Sequence, residues 1–221
     1  MVFEKISIAI DGPAGAGKST VAKRVAEELS IEYIDTGAMY RALTLKVLRL
    51  GLDPKNKIDV IKLLENTAID FKNNHIYLDG INVDKEIREN QINNNVSFIA
   101  KIKEVRDGMV KIQQDLAKTK SVVMDGRDIS DVVLPGAKYK FFITASVEER
   151  AKRRFKELVQ NGNKDLTLEQ IKDEIENRDK IDSTREIAPL KQSIDSYKID
   201  TTDKSVEDSV SKIISMVRGG D

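Results

Sequence analysis

The chain has 221 residues, 33% charged and 40% hydrophobic, which suits one soluble domain, or one with a small insert, able to build a core. Lys plus Arg and Asp plus Glu balance at 37 each, so no overall positive field draws it to nucleic acid or a membrane, although local basic pockets remain open. It has no cysteine, hence no disulfide or thiolate metal site, no signal-peptide pattern, and no apolar run near the ~20 residues of a bilayer span; a cytoplasmic monomer is the expectation.

Ile6–Ile10 reads as a short buried strand, and Val21, Val25 and Leu29 mark one face of a helix. Between them, Gly12-Pro13-Ala14-Gly15-Ala16-Gly17-Lys18-Ser19 matches the phosphate-loop pattern G-x-x-x-x-G-K-S/T in full. Glycines there let backbone N–H groups turn inward around phosphate oxygens, and the helix N-terminus adds positive potential. In such a loop Lys18 reaches the β- and γ-phosphates, and Ser19 holds Mg²⁺.

A second strand is expected at Glu32–Asp35, then a helix with Leu43, Val47 and Leu50 on one face, ended by Gly51-Leu-Asp-Pro54. Asp35-Thr36-Gly37-Ala38-Met39-Tyr40-Arg41 follows a strand's C-terminal end, where open α/β sheets bind ligands. Two readings stand for it: a ligand site using Tyr40 and Arg41, or a helix capped by Asp35 or Thr36 with Arg41 on the surface. Asn56-Lys57-Ile58-Asp59 matches the guanine-reading N-K-x-D, but it follows a turn and opens a helix through Ile58–Leu64, so it is read as chance.

From Ala68 to Val83 apolar residues alternate with polar ones in three runs, separated by Asn73-Asn74 and Asp79-Gly80. This predicts a small three-stranded antiparallel insert, with the single histidine, His75, as a turn residue. Two helical stretches follow, the second striped by Ile102, Val105, Met109, Ile112 and Leu116; the sequon Asn95-Val96-Ser97 is a chance match. Ser121–Met124 is a core strand running into Asp125-Gly126-Arg127-Asp128. A strand ending in Asp has the form of a carboxylate element that organises Mg²⁺, and Arg127 between two carboxylates reads as a phosphate ligand. The alternative is a plain turn.

A strand at Lys138–Ile143, a basic helix at Val147–Gln160 and a helix at Leu168–Ile181 come next, then a strand at Tyr197–Asp200 and a helix burying Val206, Val210, Ile213, Ile214 and Val217. Arg150, Arg153, Arg154, Arg178 and Arg185 concentrate arginine in this half of a chain that has only 12 of them. Bidentate phosphate contacts favour arginine, and several closing over a moving phosphoryl group stabilise its charge. Arg153 and Arg154 are adjacent, so on a helix they point in different directions.

The phosphate loop, Asp35-Thr-Gly-Ala-Met-Tyr-Arg41, Asp125-Gly-Arg-Asp128, Arg178-Asp179, Asp182 and Arg185-Glu-Ile-Ala-Pro-Leu190 occur in order and together resemble the bacterial cytidylate kinases, nearly end to end. The resemblance implies an α/β, three-layer P-loop NTPase fold with a central parallel sheet. Its core would comprise about 1–66, 91–145 and 190–221, with an antiparallel nucleoside-monophosphate (NMP) binding insert at about 67–90 and a helical lid at about 146–189. It implies phosphoryl transfer from ATP, with Mg²⁺, to CMP or dCMP, and no nucleic-acid or membrane partner. ATP falls to Gly12, Pro13, Ala14, Gly15, Ala16, Gly17, Lys18, Ser19 and Thr20, joined by Arg153 and Arg154. CMP falls to Thr36, Tyr40 and Arg41, to Ser97, Arg106 and Asp128 at the cytosine edge, and to Arg178, Asp182 and Arg185 at its phosphate and sugar. Lys18, Arg127 and Arg185 carry catalysis, Ser19 meets Mg²⁺ with Asp125 as a further candidate, and Thr202 lies near the ATP base. Thr36 and Ser19 stand where some relatives carry Ser and Gly, and both keep a hydroxyl. The rival readings are a kinase for another anionic acceptor, such as shikimate, and a nucleotide-holding switch with no acceptor.

Overall fold

A computed structural model describes residues 5–72, 74–160 and 167–219. The run Met1–Glu4, Asn73 of the first turn dipeptide, and 161–166 of the expected lid lie outside them. Five parallel strands form the central sheet in the order β2-β6-β1-β7-β8. They are β1 (Ser7–Asp11), β2 (Glu32–Asp35), β6 (Val122–Gly126), β7 (Tyr139–Thr144) and β8 (Tyr197–Asp200). β1 is central, with Ile8, Ala9 and Ile10 fully buried, as a parallel strand covered on both faces requires.

The period-2 alternation of side chains divides the core between the two faces. Ile8, Ile10 and Val123 face α1 (Lys18–Leu29) and α8 (Val206–Val217), meeting Val21, Val25, Val210 and Ile213. Ala9, Val122 and Met124 face the other way, toward α2 (Thr36–Arg49), α4 (Asn90–Ala100) and α5 (Lys103–Thr119), meeting Met39, Leu43, Ile92 and Met109. A third, small core of Ala151, Leu158, Ile171 and Ile175 joins α6 (Val147–Gln160) to α7 (Leu168–Thr184).

The insert is the antiparallel set β3 (Ile69–Lys72), β4 (His75–Leu78) and β5 (Ile81–Asn82). Asp79 and Gly80 both have positive φ, 50° and 81°, the backbone a two-residue hairpin turn needs. Phe71, Ile76 and Leu78 pack into the same core as α2. β5 stops at Asn82, so Ile81 is exposed while Val83 turns inward, its N–H donating to the Ile76 carbonyl. The expected pairing of those two on one face does not form.

Three further departures are local: at Leu50, at the end of α7 and after Asp128. Leu50 is not on the buried stripe of α2: the helix ends at Arg49, Gly51 follows with φ +68°, and Leu50 is exposed. Asn56 caps α3 (Lys57–Glu65), accepting from the N–H groups of Ile58 and Asp59, which accounts for the Asn-Lys-Ile-Asp run without guanine. α7 runs on to Thr184, which puts Asp182 on the helix and Arg185 at its C-cap. A π-helical turn at Ile129–Val133, which periodicity does not reveal, follows Asp128.

Candidate active site

The strands β1, β2 and β6 all deliver a carboxylate at or near their C-terminal ends: Asp11, Asp35 and Asp125. Above this edge lies a cavity of about 1230 Å³. Ala14 to Thr20 line one end of it. Gly12 and Pro13 do not line it; they shape the loop from behind. A Cβ on Gly12 would lie 1.9 Å from the Ile143 carbonyl oxygen, and the Pro13 carbonyl accepts from Lys18 Nζ at 2.7 Å. Gly17, with φ +86°, caps α1 without a side-chain hydrogen bond, so the first-turn N–H groups keep the positive end of the helix available to an anion.

Burial, followed by the positive charge of Arg127, lowers the Lys18 ammonium well below the lysine range. The negative charge of a phosphate group beside it would offset both effects. Asp125 accepts from Ser19 Oγ and from the Tyr33 hydroxyl, each at 2.9 Å, and the Thr36 hydroxyl donates to the Asp125 carbonyl at 2.7 Å. Burial and the nearby Asp35 push the Asp125 carboxyl up to about 6. Ser19 and Asp125 thus form a hard-oxygen pair whose negative charge is poorly compensated, the chemistry a small divalent cation fits. Among the described residues no cluster of three His, Asp or Glu side chains makes a self-sufficient metal site.

Asp35 both caps and binds. It accepts from the Ala38 N–H at 2.9 Å at the start of α2, from Arg41 at 2.8 Å and from Arg88 at 3.2 Å. Burial opposes its charge, but Arg41 and Arg88 outweigh that and hold the carboxyl below its usual range. Arg41 is buried at the cavity and is not a surface residue. Thr36 and Tyr40 line the cavity beside it.

The far end is a mesh of arginines and carboxylates. Asp182 accepts from Ser97 Oγ and Arg127 Nε, each at 2.9 Å. Asp128 is ion-paired with Arg106 and lies 3.5 Å from Arg185, whose Nε donates to the Ala188 carbonyl at 2.6 Å. The Arg106 guanidinium lies 5.8 Å from the centre of the Tyr40 ring. Burial, then Arg127, lowers the Arg178 guanidinium to about 10. Arg41 Nε, Arg154 Nη2 and Arg178 Nε are buried donors on cavity-lining residues with no hydrogen-bond partner. Buried cationic N–H groups are costly to leave unmatched, so they mark places for an anion.

Two expectations need correction, those for Arg150 and Thr202. Arg150 does not join Arg153 and Arg154 at the cavity; it is buried under the phosphate loop, donating to the Ala14 carbonyl at 3.0 Å and to Asp179 at 2.6 Å. Arg153 and Arg154 do line the cavity and diverge, Arg153 to Thr201 and Glu149, Arg154 to Glu157. Thr202 is off the cavity, accepting from the Ser146 N–H; its neighbour Thr201, with Lys204 to Glu207, forms that wall. The sequence reading missed Arg88 and the asparagines of α4. Asn90 and Asn94 donate to Glu174 of α7 at 3.4 and 3.0 Å. No local motif announces these residues; only the packing of α7 across α4 brings them together.

Residues 8–219 match the sequence pattern of the family described as cytidylate kinase. A cytidylate kinase of Clostridioides difficile (strain 630) is 53% identical over 210 residues, 95% of this chain and 97% of that one. One from Bacillus cereus (strain G9842) is 51% identical over 220 residues, covering 98% and 97%. Among solved structures, an uncharacterised protein from Eubacterium ventriosum ATCC 27560 superposes with TM-score 0.55 at 14% identity, covering 97% of this chain and 99% of that one. A shikimate kinase from Bacteroides thetaiotaomicron superposes at 0.52 and 13%, covering 96% and 98%. At such identities the superpositions speak for the fold alone: a parallel sheet between helices with the phosphate loop at its edge. With identity above one half along nearly its whole length, the chain belongs to the cytidylate kinase family.

Proposed function

We infer that this protein transfers the γ-phosphoryl group of ATP to CMP or dCMP, giving ADP and CDP or dCDP. The observation that carries the reading is the set of buried, unpartnered guanidinium N–H groups on the walls of the cavity that the phosphate loop also lines. One phosphate loop serves a donor; a second cluster of arginines beyond it serves a second anion.

The attacking atom is an oxygen of the acceptor phosphate. A phosphate monoester has its second pKa near ~6 and is largely a dianion at neutral pH, so no general base is required. The chain's task is to align two phosphate clusters in line and to neutralise the charge that spreads over the transferring group. Lys18 and the N–H groups of the loop hold the β- and γ-phosphates. Arg127 and Arg185 face the transferring group, while Arg41 and Arg178 hold the acceptor phosphate. Asp182 takes the sugar hydroxyls, and Ser97, Arg106 and Asp128 read the cytosine edge. Thr36 and Tyr40 complete the acceptor wall, and Arg153 and Arg154 serve the donor side. Mg²⁺, bound with the triphosphate, would be held by Ser19 with Asp125 beside it, and when bound it supplies positive charge to the phosphate oxygens.

Helices α6 and α7, which share their own small core, are the unit suited to close over both nucleotides as the lid of about 146–189. Closure excludes the water that would otherwise take the phosphoryl group. The insert at about 67–90 supplies Arg88 to the acceptor side.

The test is ADP release from Mg-ATP with CMP, dCMP, UMP, AMP, GMP or no acceptor. Fast release with CMP and dCMP, slower release with UMP and almost none without acceptor is expected. Equal release with and without acceptor would make the protein a hydrolase or switch, and release only with another acceptor would remove the cytosine-reading roles of Ser97, Arg106 and Asp128.

A further inference from the structure

We propose that Asp11 is a positioning residue for acceptor recognition, setting from β1 the backbone of the turn that carries Arg127 and Asp128. The proposal rests on the acceptor reading above. Asp11 ends β1 and is the residue before Gly12, so it is rigidly tied to the donor half of the site. Its side chain points across to the other half. Oδ1 accepts from the Ile129 N–H at 2.7 Å and Oδ2 from the Ser130 N–H at 2.8 Å.

These are the two peptide groups directly after Asp128, where the chain leaves β6 and enters the π-helical turn. On its other side the turn closes on itself: the Asp128 carbonyl accepts from Val132 N–H at 2.9 Å, and the Ile129 carbonyl from Leu134 N–H at 2.7 Å. The first two N–H groups of that turn would have no partner without Asp11. Asp128 itself sits at φ −149°, ψ 25°, outside any helical run, so nothing repetitive holds it in place. Yet its carboxylate must meet both Arg106 and Arg185. A buried carboxylate with no cation against it is an expensive way to fill space. Burial pushes Asp11 up from the usual carboxylate range, and the charge of Asp128 adds to this. The geometry gives that cost a return: one side chain fixes the acceptor-reading turn relative to the phosphate loop.

Asp11→Asn is nearly isosteric. It keeps one acceptor and turns an amide N–H₂ toward the other peptide N–H, so the turn must shift while the volume is preserved. The expected result is a rise of about tenfold or more in the KM for CMP, with the KM for ATP within about twofold, and a CMP-over-UMP preference reduced by about threefold or more. A thermal melt of the same preparation reports folding. Equal rises in both KM values, or an unchanged CMP-over-UMP ratio, would reduce Asp11 to a scaffold residue and overturn the proposal. Where Asp11→Asn does not fold, Asp11→Ser, with a single smaller acceptor, carries the same comparison; failure of both to fold also assigns the residue to the scaffold. Wild-type protein showing no CMP-stimulated ADP release sinks the acceptor reading itself, a result distinct from a CMP-active wild type whose Asp11 variant behaves normally.

Discussion

Asp125 gathers Ser19, Tyr33 and Thr36 around one carboxyl-bearing residue, and its burial beside Asp35 makes its ionisation unfavourable. The folded carboxyl titrates at about 6 against 3.8 in a model peptide, so the fold binds its proton more tightly than the unfolded chain does. The stability this contributes is fully present below the unfolded value and is lost as pH rises through about 6, an effect on the order of 3 kcal/mol. Without nucleotide or divalent cation, Asp125→Asn should therefore gain stability relative to wild type between pH 4 and 7, levelling off above about 6. Thermal unfolding across that range checks it, and a pH-independent difference would contradict it. Arg127 makes a different prediction. Its partner Asp182 stays compensated by Arg178 and Arg185 when Arg127 is removed, so Arg127→Ala should keep the fold. On the proposed mechanism its turnover should fall by about 100-fold or more, because the lost charge would act on the transferring group. Near-normal kcat in a steady-state assay would remove Arg127 from the chemistry.

Between elements, the contact that matters most is that of α7 with α4. Asn90 and Asn94 converge on Glu174, while Ser97, two turns along α4, reaches Asp182 on α7. Glu174→Ala removes the outer of these two clasps and leaves the inner one. The KM for CMP should rise about threefold, and ATP hydrolysis without acceptor should rise in parallel, as one part-buried and one exposed hydrogen bond are lost. Unchanged hydrolysis would show that the clasp has no part in closure. Much at this scale was legible in the sequence. The helix that starts at Val147 and the strand Tyr197–Asp200 begin where their patterns predict, and Asp79-Gly80 makes its turn, because each is decided by local chemistry. Leu50 and the last turn of α7 were not, since helix ends depend on capping and on what the final turn packs against. By sequence Arg150 groups with the arginines expected to close over a phosphoryl group, because nothing local in the sequence shows that the phosphate loop lies on it.

At the level of the whole molecule, alternation along β1 and β6 decides which helices cover which face, and the parallel order brings Asp11, Asp35 and Asp125 to one edge. That much follows from strand–helix alternation and the phosphate loop. The roles of Ser97 and Arg106 have no local motif behind them. They gain support only from the fold, which brings α4 and α5 within reach of Asp182 and Asp128.

The carboxylates of the cleft have one more effect. Asp35, Asp128 and Asp182 are ion-paired with Arg41, Arg106 and Arg127. An anion that needs those paired guanidinium faces must displace a resident competitor, while Arg41 Nε, Arg154 Nη2 and Arg178 Nε have no partner to give up. A small ion such as free phosphate offers only its charge in exchange, whereas a nucleotide also brings a base and a sugar to compensate the displaced aspartates. On the proposed function the cleft is thereby a threshold as well as a receptor: it would discriminate by size and completeness before any single contact discriminates by shape.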